Sequence, residues 1–156
     1  MKETTEQDYG DEYRAVQTFR EEIGNAKKVI DTLSTYPDSV FRLMPQLDEP
    51  TATEESKARV HTQLAEQAKK RDETIKLLED KYFPLFASNP EFAAYKSSIE
   101  AVIVQSRTQT FLTRDNVFTF GAECKKITSG IFRDQKKLLD KMKAIKKAHV
   151  PTTTTA

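Results

Sequence analysis

Residues able to do chemistry are scarce in this chain. It has one cysteine, Cys124, and two histidines, His61 and His149. A metal site needs three or four ligands at fixed spacing. Neither histidine is followed by a ligand three or four residues on. The Glu-x-x-His pair of a bundle di-iron site is absent, because residue 58 is Ala and residue 146 is Lys. There is no Cys-x-x-Cys, Gly-x-Ser-x-Gly, Walker loop, Gly-x-Gly-x-x-Gly or His-Glu-x-x-His. Carboxylates are plentiful, but no pair is singled out as acid and base. The chemistry expected is therefore binding, with no enzyme activity, no metal, no cofactor and no small-molecule ligand.

The one concentration of charge is basic. Residues Lys136 to Lys147 read KKLLDKMKAIKK, with six lysines and one acid. From Lys125 to His149 nine basic residues face two aspartates, a local net charge of +7, although the whole chain is only +1. Lys136, Lys137, Lys141, Lys143, Lys146 and Lys147 form a candidate patch for anionic lipid or nucleic-acid phosphates. Interleaved aromatics are lacking in this segment, and Arg133 is its only arginine. Base-edge reading is therefore not expected. On a helical wheel Leu138, Met142 and Ile145 fall within an arc of about 60°. They stay in phase with an apolar stripe that starts at Val117, as a bundle helix with a solvated face requires.

That stripe is Val117, Phe120, Cys124, Ile127, Ile131, Leu138, Met142 and Ile145, with one seven-residue step over Asp134. It predicts a helix from Val117 to about Ala148, some 45 Å long at 1.5 Å per residue. Cys124 lies on the stripe and is expected to be an inert core thiol. Asp115 or Asn116 is expected to cap this helix.

Three further helices are expected. In the first, over 5–35, Val16, Phe19, Ile23, Ala26, Ile30 and Leu33 are spaced by threes and fours, a heptad seam. Tyr9 extends the seam, Tyr13 flanks it, and Glu3, Glu6, Asp8, Asp11 and Glu12 suit the helix N-terminus. Pro37 is expected to stop it. Residues 36–50, YPDSVFRLMPQLDEP, hold three prolines and are too apolar for a wet linker. They read as a connection packed on the bundle, with one helical turn capped by Asp38 or Ser39. The second helix should run from Thr53 to Phe83 with a seam of His61, Leu64, Ala68, Arg71, Ile75, Leu78 and Tyr82, until Pro84 kinks or ends it. YFPLFASNPEF is expected to plug the core at a corner, with Asn89-Pro90 starting the third helix over 90–112. The β-branched run in 101–113 leaves helix and strand open there, and helix is preferred because a lone strand would lack a partner.

The fold class expected is all-α: a bundle of four long helices, up-down-up-down, with an apolar Pro-rich connection after helix 1. Residues 1–150 form a single domain of ordinary size and 151–156 a short tail. With no signal peptide, no apolar span and one cysteine, the chain is expected to be cytoplasmic.

The third helix is the shortest, so the ends of the others are expected to expose seam residues for docking. The function expected is a non-enzymatic helical interaction module, an adaptor that binds a protein partner or another copy of itself. Its candidate contacts are Tyr9, Tyr13 and Val16 at one end, Leu138, Met142 and Ile145 at the other, and Phe41 with Met44 in the connection. The alternative is peripheral binding of anionic membrane or nucleic acid through the lysines.

Overall fold

The computed structural model describes residues 9–108 and 111–148. Glu3, Glu6, Asp8, His149 and the tail from Pro151 lie outside the described residues. The fold is all-α, and no strand occurs among the described residues. Four long helical rods pack up-down-up-down, as short connections between consecutive helices favour.

The first rod, α1, spans Gly10–Leu33 and buries Val16, Ile23, Ala26, Ile30 and Leu33. Its last carbonyls are taken by hydroxyls: Ser34 Oγ donates to Asp31 O at 2.6 Å and Thr35 Oγ1 to Thr32 O at 2.7 Å.

The connection is more helical than its prolines suggest. It folds as α2, Tyr36–Leu43, followed by a 3₁₀ turn, Met44–Asp48. Pro37 and Pro45 each sit in a first turn, where a missing N–H costs nothing. Asp38 and Ser39 do not cap α2. They lie inside it, and Asp38 pairs with Arg42 at 3.1 Å.

The second rod opens as α3, Glu54–Leu77, on a capping box. Ser56 N donates to Thr53 Oγ1 at 3.0 Å, and Thr53 N donates to Ser56 Oγ at 2.8 Å. Its seam begins at Val60, which is buried, rather than at His61, which is exposed. Pro84 does not end this rod. A π-helical turn, Leu78–Tyr82, precedes α4, Phe83–Ala87, and Phe83 N donates to Leu78 O across the widened turn. Widening there accommodates the proline ring that would crowd the carbonyl four residues back.

At the corner Asn89 forms a tight turn. Its Oδ1 accepts from Glu91 N at 2.9 Å and its carbonyl from Phe92 N at 2.9 Å. That turn drives Phe92 into the core and delays the third helix, α5, to Ala94–Thr108. The β-branched run is thus helical through Thr108. Beyond it, Phe111 adopts φ 54° and is buried edge-on against Phe120, 5.4 Å between ring centroids. Such a conformation is uncommon for a bulky residue.

The fourth rod, α6, spans Arg114–Ala148. Thr113 caps it, not Asp115 or Asn116, by accepting from Asn116 N at 3.2 Å. Antiparallel neighbours follow from cross-contacts. Glu22 of α1 meets Lys81 of the second rod at 3.4 Å, Arg71 of α3 meets the Ser106 carbonyl of α5, and Tyr95 of α5 meets Asp134 of α6. Lys146 at the end of α6 lies over the Tyr9 ring before α1. Ile23, Ile30, Ile75, Leu78, Phe86, Ile99 and Ile131 have no exposed surface and form the centre of the core.

Candidate interaction surface

The segment KKLLDKMKAIKK is a built-in part of the bundle. Leu138 is 4% and Met142 7% exposed, Ile145 is half-buried, and all six lysines point to solvent. Val16 is buried as well. This corrects the expectation of uncovered seam ends. Although α5 is short, α1 and α6 run on together and cover each other. Val16, Leu138 and Met142 are core residues. Tyr9, Tyr13, Phe41, Met44 and Ile145 keep part of their surface, and Tyr9 and Tyr13 lie ring to ring at 4.8 Å.

The seven-residue step in the stripe of α6 is filled by polar residues. Gln135 is buried and its Nε2 donates to Arg20 O at 3.0 Å, while Arg20 Nε donates to Gln135 O at 3.3 Å. Asp134 accepts from Tyr95 Oη at 2.5 Å and pairs with Lys137 at 3.3 Å. Burial first, then Asp134, pushes the Tyr95 phenol well above its ordinary range.

Arg71, the polar member of the α3 seam, donates through Nη1 to Tyr36 Oη at 3.1 Å and to Ser106 O at 3.3 Å. These are structural ties.

Among the described residues the chemistry-bearing side chains do not converge. Cys124 is buried, and burial, with Asp31 and Glu123 adding negative charge, pushes its thiol up to about 12. His61 is exposed. Among the described residues no group of three or more His, Cys, Asp or Glu is placed to hold a metal, and no helix is long and apolar enough to cross a membrane. Tyr82, Phe83, Phe86 and Phe92 are buried as a plug, with Phe92 edge-on to Phe19 at 5.0 Å.

The feature that stands out lies on the wet side of α6. Phe118 is 77% and Phe132 50% exposed. At 3.6 residues per turn, Arg114, Phe118, Lys125, Ser129, Phe132, Lys136, Lys143 and Lys147 share an arc of about 60° turned away from the core stripe. All eight are exposed, and none is acidic. Phe132 is clasped by the ammonium groups of Lys27, 4.5 Å from its centroid, and Lys136, at 4.9 Å.

Two grooves border this strip. One, of about 500 Å³, lies between α1 and α6, with Lys27 and Asp31 on one wall, Lys125 and Phe132 on the other, and Gly121 and Ser129 among its lining. The other, of about 480 Å³, lies between α2 and the start of α6 and is lined by Asp38, Phe41, Arg42, Arg114, Val117 and Phe118. Among the described residues no α1 carboxylate forms an ion pair with an α6 lysine. Glu22 pairs with Lys81, and Asp11 with Arg14.

Phe118 and Phe132 were readable as off-stripe aromatics fourteen residues apart on one wheel face. Gln135 and Asp134 gave no such signal, because a polar pair in an apolar stripe reads as a gap.

These features define a class, a four-helix bundle with a polar cross-tie and a cationic outer strip. No protein-family model matches this chain, no curated protein matches its sequence, and no solved structure matches its fold.

Proposed function

We propose that this chain is a non-enzymatic helical interaction module that holds a protein partner on the outer face of α6. One observation carries the reading: two large aromatic side chains, Phe118 and Phe132, stay exposed on a strip of α6 that has five cations and no acid. The core has its own seam, and neither ring belongs to it. Aromatic residues framed by arginine and lysine are the composition of interface anchors. Phe41 belongs to the same surface through the groove it shares with Phe118. The buried Cys124, its thiol held protonated by burial, supports a role without catalysis.

A photo-crosslinking amino acid at position 118 or 132, in extracts of the source cells, tests this. Protein adducts of defined mass are expected at both sites and not at Glu100, an exposed position on α5. Equal labelling at Glu100, or no protein adduct at 118 and 132, overturns the reading.

A second reading rests on the same five strip cations, Arg114, Lys125, Lys136, Lys143 and Lys147. They suit an anionic bilayer or nucleic acid, at about 1 kcal/mol per basic residue near a charged membrane surface. It predicts steeply salt-dependent binding to phosphatidylserine vesicles or to duplex DNA. Affinity unchanged between low and high salt sinks it.

A further inference from the structure

Resting on the protein-partner reading above, we infer that the groove between α1 and α6, with Phe118 beyond one end and Phe132 at the other, receives an acidic amphipathic helix of the partner.

Three observations converge on a rod of that chemistry. The first is spacing. Phe118, Lys125 and Phe132 are seven residues apart, as are Ser129, Lys136 and Lys143. A wet strip repeating every seven residues is the register along which a second helix lies. The second is shape. Gly121 and Ser129 lie among the groove lining, and a Cβ added at Gly121 would meet nothing within 4 Å. Small residues let another backbone come close between the flanking rings. The third is charge. Lys27, Lys125 and Lys136 line or adjoin the groove, against one carboxylate, Asp31.

The width of the strip favours a rod over a plane. On the same wheel Asp140 and Asp115 flank it on the side away from α1, while Asp31 stands on the α1 wall. A flat anionic membrane pressed on α6 would bring those carboxylates toward its headgroups. A helix about 10 Å across, seated in the groove, would stay clear of Asp115 and Asp140 and meet Asp31 alone. The partner helix would carry apolar residues two heptads apart, opposite Phe118 and Phe132, and acids between and beyond them, opposite Lys125, Lys136 and Lys143.

The test uses the full chain, isotope-labelled, titrated with a 28-residue synthetic helix of about that design: leucines fourteen residues apart with glutamates on the same face. Its lysine-for-glutamate counterpart, phosphatidylserine vesicles and a short DNA duplex complete the set. Saturable amide shifts at Gly121, Lys125 and Ser129 are expected with the acidic helix alone. Lys125→Glu with Lys136→Glu should weaken binding at least about tenfold with circular dichroism unchanged, since both lysines are exposed. Binding of vesicles or DNA in place of the helix overturns the inference, as does helix binding that ignores the double substitution. If the acidic helix fails to bind while photo-adducts at 118 and 132 persist, the inference falls and the α6 face stands. If the adducts are also missing, both fall.

Discussion

Arg20 and Gln135 exchange hydrogen bonds across the α1–α6 interface, each side chain donating to the other residue's backbone carbonyl, at 3.3 and 3.0 Å. Gly24, one turn along α1, leaves room for this: a Cβ there would sit 3.0 Å from Gln135 Nε2. The tie crosses the interface at the step where the apolar stripe of α6 is interrupted, and it sets the register of the two longest-paired helices.

Gln135→Leu keeps the volume but removes the donor. A loss of about 1–2 kcal/mol in unfolding free energy is expected, read from the urea midpoint at unchanged slope. A variant as stable as the parent would mean that Gln135 is tolerated rather than used.

Gly130 touches Tyr95. A Cβ at position 130 would lie 2.8 Å from the Tyr95 hydroxyl, which is held by Asp134. In an exposed helix Gly→Ala gains about 1 kcal/mol. Here Gly130→Ala is expected to lower stability instead, by about 1–3 kcal/mol of overpacking. Tyr95→Phe removes the nearest atom, so the same alanine should cost less in that background. Equal costs in both backgrounds, measured by thermal unfolding, would rule out the contact as the cause.

Alkaline pH should weaken the fold. Burial, with Asp31 and Glu123, raises the Cys124 thiol from its ordinary 9.0 to about 12. The folded state therefore holds this proton more tightly than the unfolded state. The stability linked to it is complete below pH 9 and is lost as pH rises from 9 toward 12. Tyr95, also raised from its ordinary 10.0, acts in the same direction above pH 10. Urea midpoints should fall from pH 8.5 to 10.5, and Cys124→Ala should flatten that fall. Parallel pH profiles for parent and variant would exclude the thiol.

Arg71 ties α2 to α5 from the seam of α3 through Tyr36 Oη and Ser106 O, and its guanidinium lies 4.9 Å from the Tyr36 ring. Arg71→Met is expected to cost about 1–3 kcal/mol. Arg71→Lys should recover little of it, because a compact ammonium cannot both stack and reach two acceptors. Full recovery by lysine would show that charge alone matters there.

How much of this was legible beforehand depends on which physics decides each feature. The long helices follow from local periodicity, and the seams Val16–Leu33 and Val117–Ile145 predicted the buried faces of α1 and α6 closely. Caps and turns depend on which of several adjacent polar groups wins a hydrogen bond. Thr113 therefore caps α6 in place of Asp115 or Asn116, and Asn89 closes a turn before α5 begins. Pro84, expected to kink or end the second helix, is absorbed by a π turn, and the rod runs on to Ala87.

The sequence by itself determined that the chain is helical, that its helices bury one stripe each, and that α6 carries an excess of positive charge. These are one-dimensional properties, set by residue type and a period of 3.6. Tertiary structure decided which seam residues are covered. Leu138 and Met142 are core because α1 lies along α6 from Gly121 to Lys146, a pairing that no local pattern encodes. It also decided that Gln135 finds a carbonyl on α1, that Phe118 stays exposed, and that Phe132 lies between Lys27 and Lys136. Burial depends on what arrives from elsewhere in the chain, and that is settled only when the four rods pack.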